Sequence, residues 1–480
     1  MSNAHPIGGV LRGGAALGVA LSLAACAAFA PDGGMGLVAD VASHELNKDA
    51  LAIRTPEAAA STRAVVERLL RRPLSADAAV QIALLNNRGL QAAYNELALA
   101  EARRVGDSLP PNPTFSLSRI SGPLEIEIER RIVADILALA TLPLRSEIAA
   151  VRFHQAQLRA AWETLRVAAE TRRAYYRAVA ARELAGFLAE AQSAAETATA
   201  LAERLGRTGA MNKLDQAREH VFYAELTAQL AAARQRVSAE RETLTRWLGL
   251  WGDDLDFRLP DALPALPSRP QALAFIEGDA IRRRVDLQIA RMELDALAKS
   301  FGLTQASRFI NVLEAGYADK LTGEKDTGER IRDRGFEVEL QIPLFDFGEV
   351  RVRQAESIYL QAVNRLAEKA VNVRSEARHA YRLYRSTYDI ASHYRREVLP
   401  LRKIISDETL LRYNAMQIDV FALLAEARAR ISATTTAIAA QRDFWLAKSE
   451  LSVAVVGGGA GSPASAGLKP AAIADNTGGQ

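Results

Sequence analysis

Cysteine, aromatic residues and long hydrophobic runs are all scarce in this chain. Cys26 is the one cysteine among 480 residues, so no internal disulfide can form and no thiolate metal site can be built. Aromatics make up 6% while apolar residues reach 49%, much of it alanine, a composition that suits helix packed on helix better than one bulky core. The six histidines, His5, His44, His154, His220, His379 and His393, are scattered without the spacing of a metal site on one helical turn. No G-x-S-x-G nucleophile motif occurs, and Gly457-Gly458-Gly459 lacks the strand-to-helix setting of a phosphate loop. These absences argue against an enzyme and against a bound cofactor. A net charge of +3 is close to balance, and the arginines lie beside glutamates along helical stretches, so no clustered basic face for nucleic acid is expected.

Residues 1–25 read as an export signal: Arg12 is followed by an alanine-rich apolar run too short for a spanning helix. Leu23-Ala24-Ala25-Cys26 resembles the lipobox of bacterial lipoproteins, which implies cleavage before Cys26 and acylation of its thiol; Ala27, in place of Asp, favours the outer membrane. An ordinary signal peptide with an incidental cysteine is the competing reading. No later segment reaches the roughly eighteen consecutive apolar residues of a spanning helix. If the protein enters a bilayer, it does so with strands.

What is present is a two-faced strand running directly into a long helix. Phe336, Val338, Leu340 and Ile342 alternate with Glu337, Glu339 and Gln341, a period of two that gives one apolar and one acidic face. Pro343 ends the ladder, Asp346 and Gly348 turn the chain, and helical spacing begins at Val352. Val352, Ala355, Tyr359, Ala362, Leu366, Val373, Ala377, Ala380 and Tyr384 form a coiled-coil seam. A helix reaching Arg412 would span roughly 90 Å, with a kink or break expected at Pro400.

The first half carries similar signals. Helical periodicity from Leu74 to Val105 gives way to strand candidates at Thr114–Ile120 and Leu124–Glu129, and helix is expected to resume after Pro143-Leu144. The halves share anchors about 200 positions apart: Arg88-Gly89-Leu90-Gln91 with Val285-Asp286-Leu287-Gln288, Thr141-Leu142-Pro143-Leu144 with Gln341-Ile342-Pro343-Leu344, and Gly209-Ala210-Met211 with Asn414-Ala415-Met416. The expected organisation is a signal at 1–25, an irregular leader at 26–73, repeats at 74–259 and 260–456, and a disordered tail at 457–480. Each repeat reads helix, strand, strand, long helix, turn, helix. The fold class is mainly α with a small β part.

Four amphipathic strands cannot close a membrane barrel alone, whereas three chains lending four each would make about twelve. With Phe336, Val338, Leu340, Ile342, Leu124, Ile126 and Ile128 toward lipid, Glu125, Glu127, Glu129, Glu337 and Glu339 would line a cation-attracting lumen. A sheet with one face on a protein core and its glutamates in bulk water explains the alternation equally well.

The stretch Ile342-Pro343-Leu344-Phe345-Asp346-Phe347-Gly348, the duplication, and Leu244, Trp247, Leu248 and Gly249 closing the first repeat resemble the TolC-like outer-membrane efflux channels over about Leu74 to Val455. The resemblance implies a homotrimer with a twelve-stranded barrel in outer-membrane lipid and an α-helical tunnel of antiparallel coiled coils through the periplasm. It also implies passive exit for substrates delivered by a periplasmic adaptor and an inner-membrane pump of the resistance-nodulation-division or ABC type. It places adaptor docking at the hairpin tips, here Arg204, Leu205, Gly206 and Met211 in the first and Arg412, Tyr413 and Met416 in the second. Asp419 and Asp215 match the acids that ring the periplasmic entrance. Asn414 stands where glycine is common, and Ala422 where some members carry a second acid. Two alternatives stay open: Asp419 as a helix cap, and the whole chain as a lipid-anchored periplasmic adaptor without its own pore. Met211 and Met416 read as packing residues rather than soft-metal ligands.

Overall fold

The computed structural model describes residues 28–459; the signal segment, Cys26 and residues 460–480 lie outside the described residues. In chain order the elements are α1 (Gly36–Val41) with a π-turn (Ala42–Leu46), α2 (Pro56–Leu70), α3 (Ala76–Asn86), α4 (Arg88–Asp107), β1 (Thr114–Ser121), β2 (Glu125–Asp135), α5 (Ile136–Arg207) and α6 (Lys213–Leu248). They continue with a 3-10 turn (Gly252–Asp256), α7 (Ile276–Arg283), α8 (Val285–Ala306), β3 (Val312–Glu324), β4 (Arg330–Gln341), α9 (Glu349–His393), a π-turn (Tyr394–Val398), α10 (Leu399–Asn414) and α11 (Val420–Val456). Mainly helical with a small antiparallel sheet, the chain has the expected fold class. Its described residues divide into two compact units, one built from 28–35, 95–158 and 287–369, the other from 36–94, 159–286 and 370–459.

The first unit holds a single sheet in the order β1-β2-β3-β4, every neighbour antiparallel, with β1 and β4 as its two edges. Within this chain the sheet is open. β2 passes into α5 with no intervening residue, Asp135 accepting the Ala138 N–H at 2.8 Å as a cap. Helix was expected only after Pro143; instead Pro143 lies inside α5, because the Asp135 cap starts the helix upstream and the ring is carried as an internal irregularity. Thr141–Leu144 and Gln341–Leu344 are therefore not structural counterparts, since Pro343 precedes its helix. At that second junction Phe347 and Gly348 both have positive φ, 47° and 72°, and the Gly348 N–H is held by Asp346 Oδ1 at 3.1 Å. A Cβ on Gly348 would lie 2.2 Å from the Arg308 carbonyl oxygen, so glycine is required there by both dihedral and space.

The second unit is a helical core. Leu188, Ala191 and Ala195 of α5 pack on Leu226, Leu230 and Ala233 of α6 at the three- and four-residue spacing of a coiled-coil seam. An aromatic cluster takes Tyr176 stacked on Trp445 at 5.1 Å and Phe444 against Tyr384 and Tyr388. The proline-rich segment between the halves is strapped to this cluster. Trp445 Nε1 donates to the Pro264 carbonyl at 3.0 Å, Tyr388 OH to Pro267 at 3.1 Å and Ser268 at 3.0 Å, and Tyr384 OH accepts the Gln271 N–H at 3.1 Å. Gly249 caps α6 at φ 68°, and a Cβ there would sit 2.7 Å from the Asn86 carbonyl oxygen; Asn86 and Asn87 in turn donate to the last carbonyls of α6.

Three further expectations are corrected. The leader at 26–73 is not irregular: α1 and α2 lie within it, with Val38 and Val66 buried, because Thr55 caps α2 and apolar residues recur on one side. Pro400 does not break its helix; the turn before it widens, and the Leu399 N–H reaches back to the Tyr394 carbonyl. The tail does not start at 457, since Gly457 and Gly458 are buried, with Gly458 against Leu165.

Candidate functional site

Directly paired residues in a sheet share a face, so the register sorts every strand side chain. Glu127 pairs with Ile120 and Thr322, Glu125 with Glu324, Glu129 with Ser118 and Lys320, and Glu337 and Glu339 with Gly316 and Glu314. All five glutamates singled out in the sequence thus occupy one face. Asp135, Glu314, Glu324 and Asp333 join them, making nine carboxylates with Arg131 and Lys320 as the face's two cations. Lys320 binds Glu127 at 2.7 Å and Arg131 binds Glu337 at 2.6 Å, leaving a strong excess of negative charge.

The opposite face divides along the strands. Toward the helices it is apolar: Phe115, Ile132, Tyr317 and Phe336 form one row, Ala134, Ala315 and Val338 the next, Leu313 and Leu340 a third. Phe336 is 89% exposed and Phe345, just past the strand end, is fully exposed. Toward the hairpin turns the same face carries Arg119, Arg130, Arg330, Arg332 and Arg334 around one acid, Asp319. Period-two reading of the single strands β2 and β4 found the glutamates and missed this cluster, because its members come from all four strands and β3, rich in small residues, gives no alternation signal.

The two helical tips differ. In the first, residues 208–212 connect α5 to α6; Asn212 Oδ1 caps by accepting the Asp215 N–H at 2.9 Å. Asp215 is nearly enclosed, held by Arg218 at 3.0 Å and by the Asn212 amide at 2.6 Å. Met211 is buried, and Gln216 Nε2 donates to its carbonyl at 3.0 Å. Gly206 lies where a Cβ would strike the Gln216 side chain, and Leu205 accepts the Ala210 N–H at 2.9 Å. The second tip, residues 415–419, is barer. Met416 is 94% exposed with φ 57°, and Asp419 is exposed and caps α11 by accepting the Ala422 N–H at 2.9 Å. Arg412 pairs with Glu408 at 2.9 Å. Beside this tip a groove of about 530 Å³ runs between α10 and α11, lined by Ile404, Ile405, Thr409, Ile418 and Ala422 with Glu408 and Glu426. Further along, the buried carboxylate of Glu219 on α6 is held by Arg428 of α11 at 2.6 Å, clamping the two hairpins to each other.

Among the described residues no helix is long and apolar enough to cross a membrane, and no group of three His, Cys, Asp or Glu is placed to hold a metal. No family model matches the chain. No curated protein matches it in sequence either. Solved structures do match. CusC, whose structures trace conformational changes in folding and transmembrane channel formation, superposes with TM-score 0.66 at 18% identity over 80% of this chain and 92% of its own. The fold is that of the TolC-like outer-membrane channels. The Campylobacter jejuni CmeC outer membrane channel gives TM-score 0.67 at 15% identity, covering 80% of this chain and 86% of CmeC. The open state of the Neisseria gonorrhoeae MtrE outer membrane channel gives 0.65 at 16% identity, with coverages of 82% and 89%. At these identities the likeness concerns architecture. These neighbours are channel proteins rather than enzymes.

Proposed function

We propose that this chain is the outer-membrane channel of a tripartite efflux system, a homotrimer giving passive exit to substrates handed over by a periplasmic adaptor and an inner-membrane pump. One observation carries the reading: a four-stranded sheet with one acidic face, one largely apolar face and two open edges. In hydrocarbon an open edge strands a row of N–H and C=O groups, each costing several kcal/mol, so such a sheet is tolerated in lipid only when its edges pair with other copies. Three copies give a closed barrel of about twelve strands with the carboxylates inside. Sheet residues that would otherwise be an aggregation hazard then have a purpose.

The remaining assignments stand on the same footing. Cys26 is the acylated N-terminal residue of the mature chain, and the halves 74–259 and 260–456 are repeats; the equivalent places of α4 and α8, and of the two tips, support the duplication. The tips form the periplasmic end. Arg204, Leu205 and Gly206 of the first and Arg412, Tyr413 and Met416 of the second form the adaptor-docking surface, with buried Met211 packing the first tip from within and the groove beside the second tip offering apolar contact. Asp419, brought near a threefold axis with its two copies, repels or traps a cation there and narrows the entrance; Asp215 is the secondary acid.

The test is fractionation followed by electrophysiology. The full-length protein should purify from outer membranes in detergent as a heat-sensitive trimer and give cation-preferring conductance in planar bilayers. A monomer that stays in aqueous buffer once Cys26 is replaced by Ser would overturn the channel and leave a lipid-anchored adaptor.

A further inference from the structure

The arginines on the apolar side of the sheet have no role in conduction, because they share a face with Phe336, Val338 and Leu340 and point away from the acidic face. The register stacks them in three rows. Arg130, Asp319 and Arg334 are directly paired; Arg119 and Arg332 lie in the next row, separated by Ile128 and Leu321; Arg330 lies in the row nearest the turns. Asp319 is almost fully covered, bound by both ends of the Arg332 fork and 3.7 Å from Arg130. Arg119, Arg330 and Arg334 have no carboxylate within ion-pair distance among the described residues. Five guanidiniums around one carboxylate leave the patch with an excess of about four positive charges.

A solvated surface does not need arginines of this density interleaved with Ile126, Ile128 and Leu321 on a face that is otherwise apolar. From Leu340 to Arg334 the strand rises about 20 Å along its length, and Leu344 and Phe345 extend the apolar zone below it. At a barrel tilt of about 40° that length covers about 15 Å of height, and Leu344 and Phe345 beyond the strand end carry the apolar zone on toward the band of about 25 Å that an outer-membrane barrel requires. The arginines then fall at the upper boundary of the hydrocarbon, on the hairpin side, and their stems run along apolar surface with the charged heads at the edge. Guanidinium forks match phosphate oxygens two at a time.

We infer that this arginine belt binds the phosphorylated headgroup of a glycolipid in the outer leaflet, with Arg119, Arg330 and Arg334 as phosphate donors and Arg332 and Arg130 held in place by Asp319. The inference rests on the channel reading for its orientation. Because β1 and β4 are the sheet edges, trimer closure would set Arg119 of one copy beside Arg330 to Arg334 of the next, so the lipid sites would lie at the protomer boundaries.

The experiment uses the full-length trimer reconstituted in phosphatidylethanolamine vesicles, titrated with fluorescent bisphosphorylated lipid A and with the same lipid stripped of both phosphates. Binding of the phosphorylated lipid should be saturable and salt-sensitive, and the stripped lipid should bind on the order of a hundredfold more weakly. The triple variant R119Q/R330Q/R334Q, which keeps the Arg332–Asp319–Arg130 cluster, should lose phosphorylated-lipid affinity by a similar factor while its conductance persists. Equal binding of the two lipids by the wild-type protein overturns the inference without any variant. Wild-type retention by a conducting triple variant, or competition by inorganic phosphate as effective as by the lipid, overturns it too. Absence of a trimer or of conductance in the wild-type preparation would instead strike the channel reading.

Discussion

The two halves of the chain reach the same order of elements by different local chemistry. In the first, β2 runs straight into α5 under an aspartate cap, and the tip beyond it is tied shut by Asn212, Asp215, Arg218 and Gln216 with Met211 buried. In the second, the chain needs two residues at positive φ to leave β4, and the tip presents Met416 to solvent and a single capping acid. Equivalent positions have thus been given different tasks: a fixed strut in the first half and a looser, more adjustable end in the second.

The largest effect is expected at the junctions. Gly348→Ala places a methyl group against the Arg308 backbone and strains φ, and should lower stability by about 3 kcal/mol or more, measured by denaturant unfolding or by dissociation of the trimer at a lower temperature. Gly209→Ala, a first-half glycine at positive φ with open space around it, should cost only about 1 kcal/mol. Equal losses would erase the contrast between a glycine required by packing and one required by dihedral alone.

Capping comes next. Asn212→Ala and Asp419→Ala should each lower stability by about 1 kcal/mol. Only Asp419→Ala should raise conductance or antibiotic leakage, because Asp215 stays shielded by Arg218 whereas Asp419 is exposed. Unchanged leakage in a well-expressed Asp419→Ala variant would reduce that residue to a cap.

At neutral pH the smallest contrast lies in the tyrosines, whose effect emerges only in alkaline solution. Burial pushes Tyr94, Tyr175 and Tyr176, on the first-half helices, up to about 12 from the ordinary tyrosine value near 10. Between these values the unfolded phenols release protons that the folded ones keep. Stability therefore falls as pH rises through this window, by up to about 1.4 kcal/mol per pH unit for each tyrosine. Tyr175→Phe should make the alkaline limb of a stability profile shallower, and an unchanged limb would assign the loss elsewhere.

Much of this architecture was legible in the sequence, for definite reasons. Alternation is visible over Glu125–Glu129 and Phe336–Gln341 because acidic or amide side chains and apolar ones take turns there, and the tips are marked by glycine and asparagine at helix ends. β3 was not legible individually: Ala315, Gly316 and Ala318 carry no polarity contrast, and its place is set by pairing on both sides. Pro143 disfavours helix locally, and the Asp135 cap eight residues upstream, set by the end of β2, overrides it. The arginine cluster was invisible for a different reason. Its members are scattered from 119 to 334 and meet only through the register of the sheet.

The widened turn at Tyr394–Val398 has an effect well beyond its own five residues. It accommodates one residue more than an ordinary turn, which slips the angular phase of the downstream helix by about 100°. The stripe that runs from Val373 through Ala377, Ala380, Tyr384 and Tyr388 therefore cannot be extended by counting into α10. Deleting a single residue there would let the turn close as an ordinary one with Met416 and Asp419 still facing as they do, whereas the same deletion in the regular helix beyond it would swing the tip around the axis like a hand on a dial.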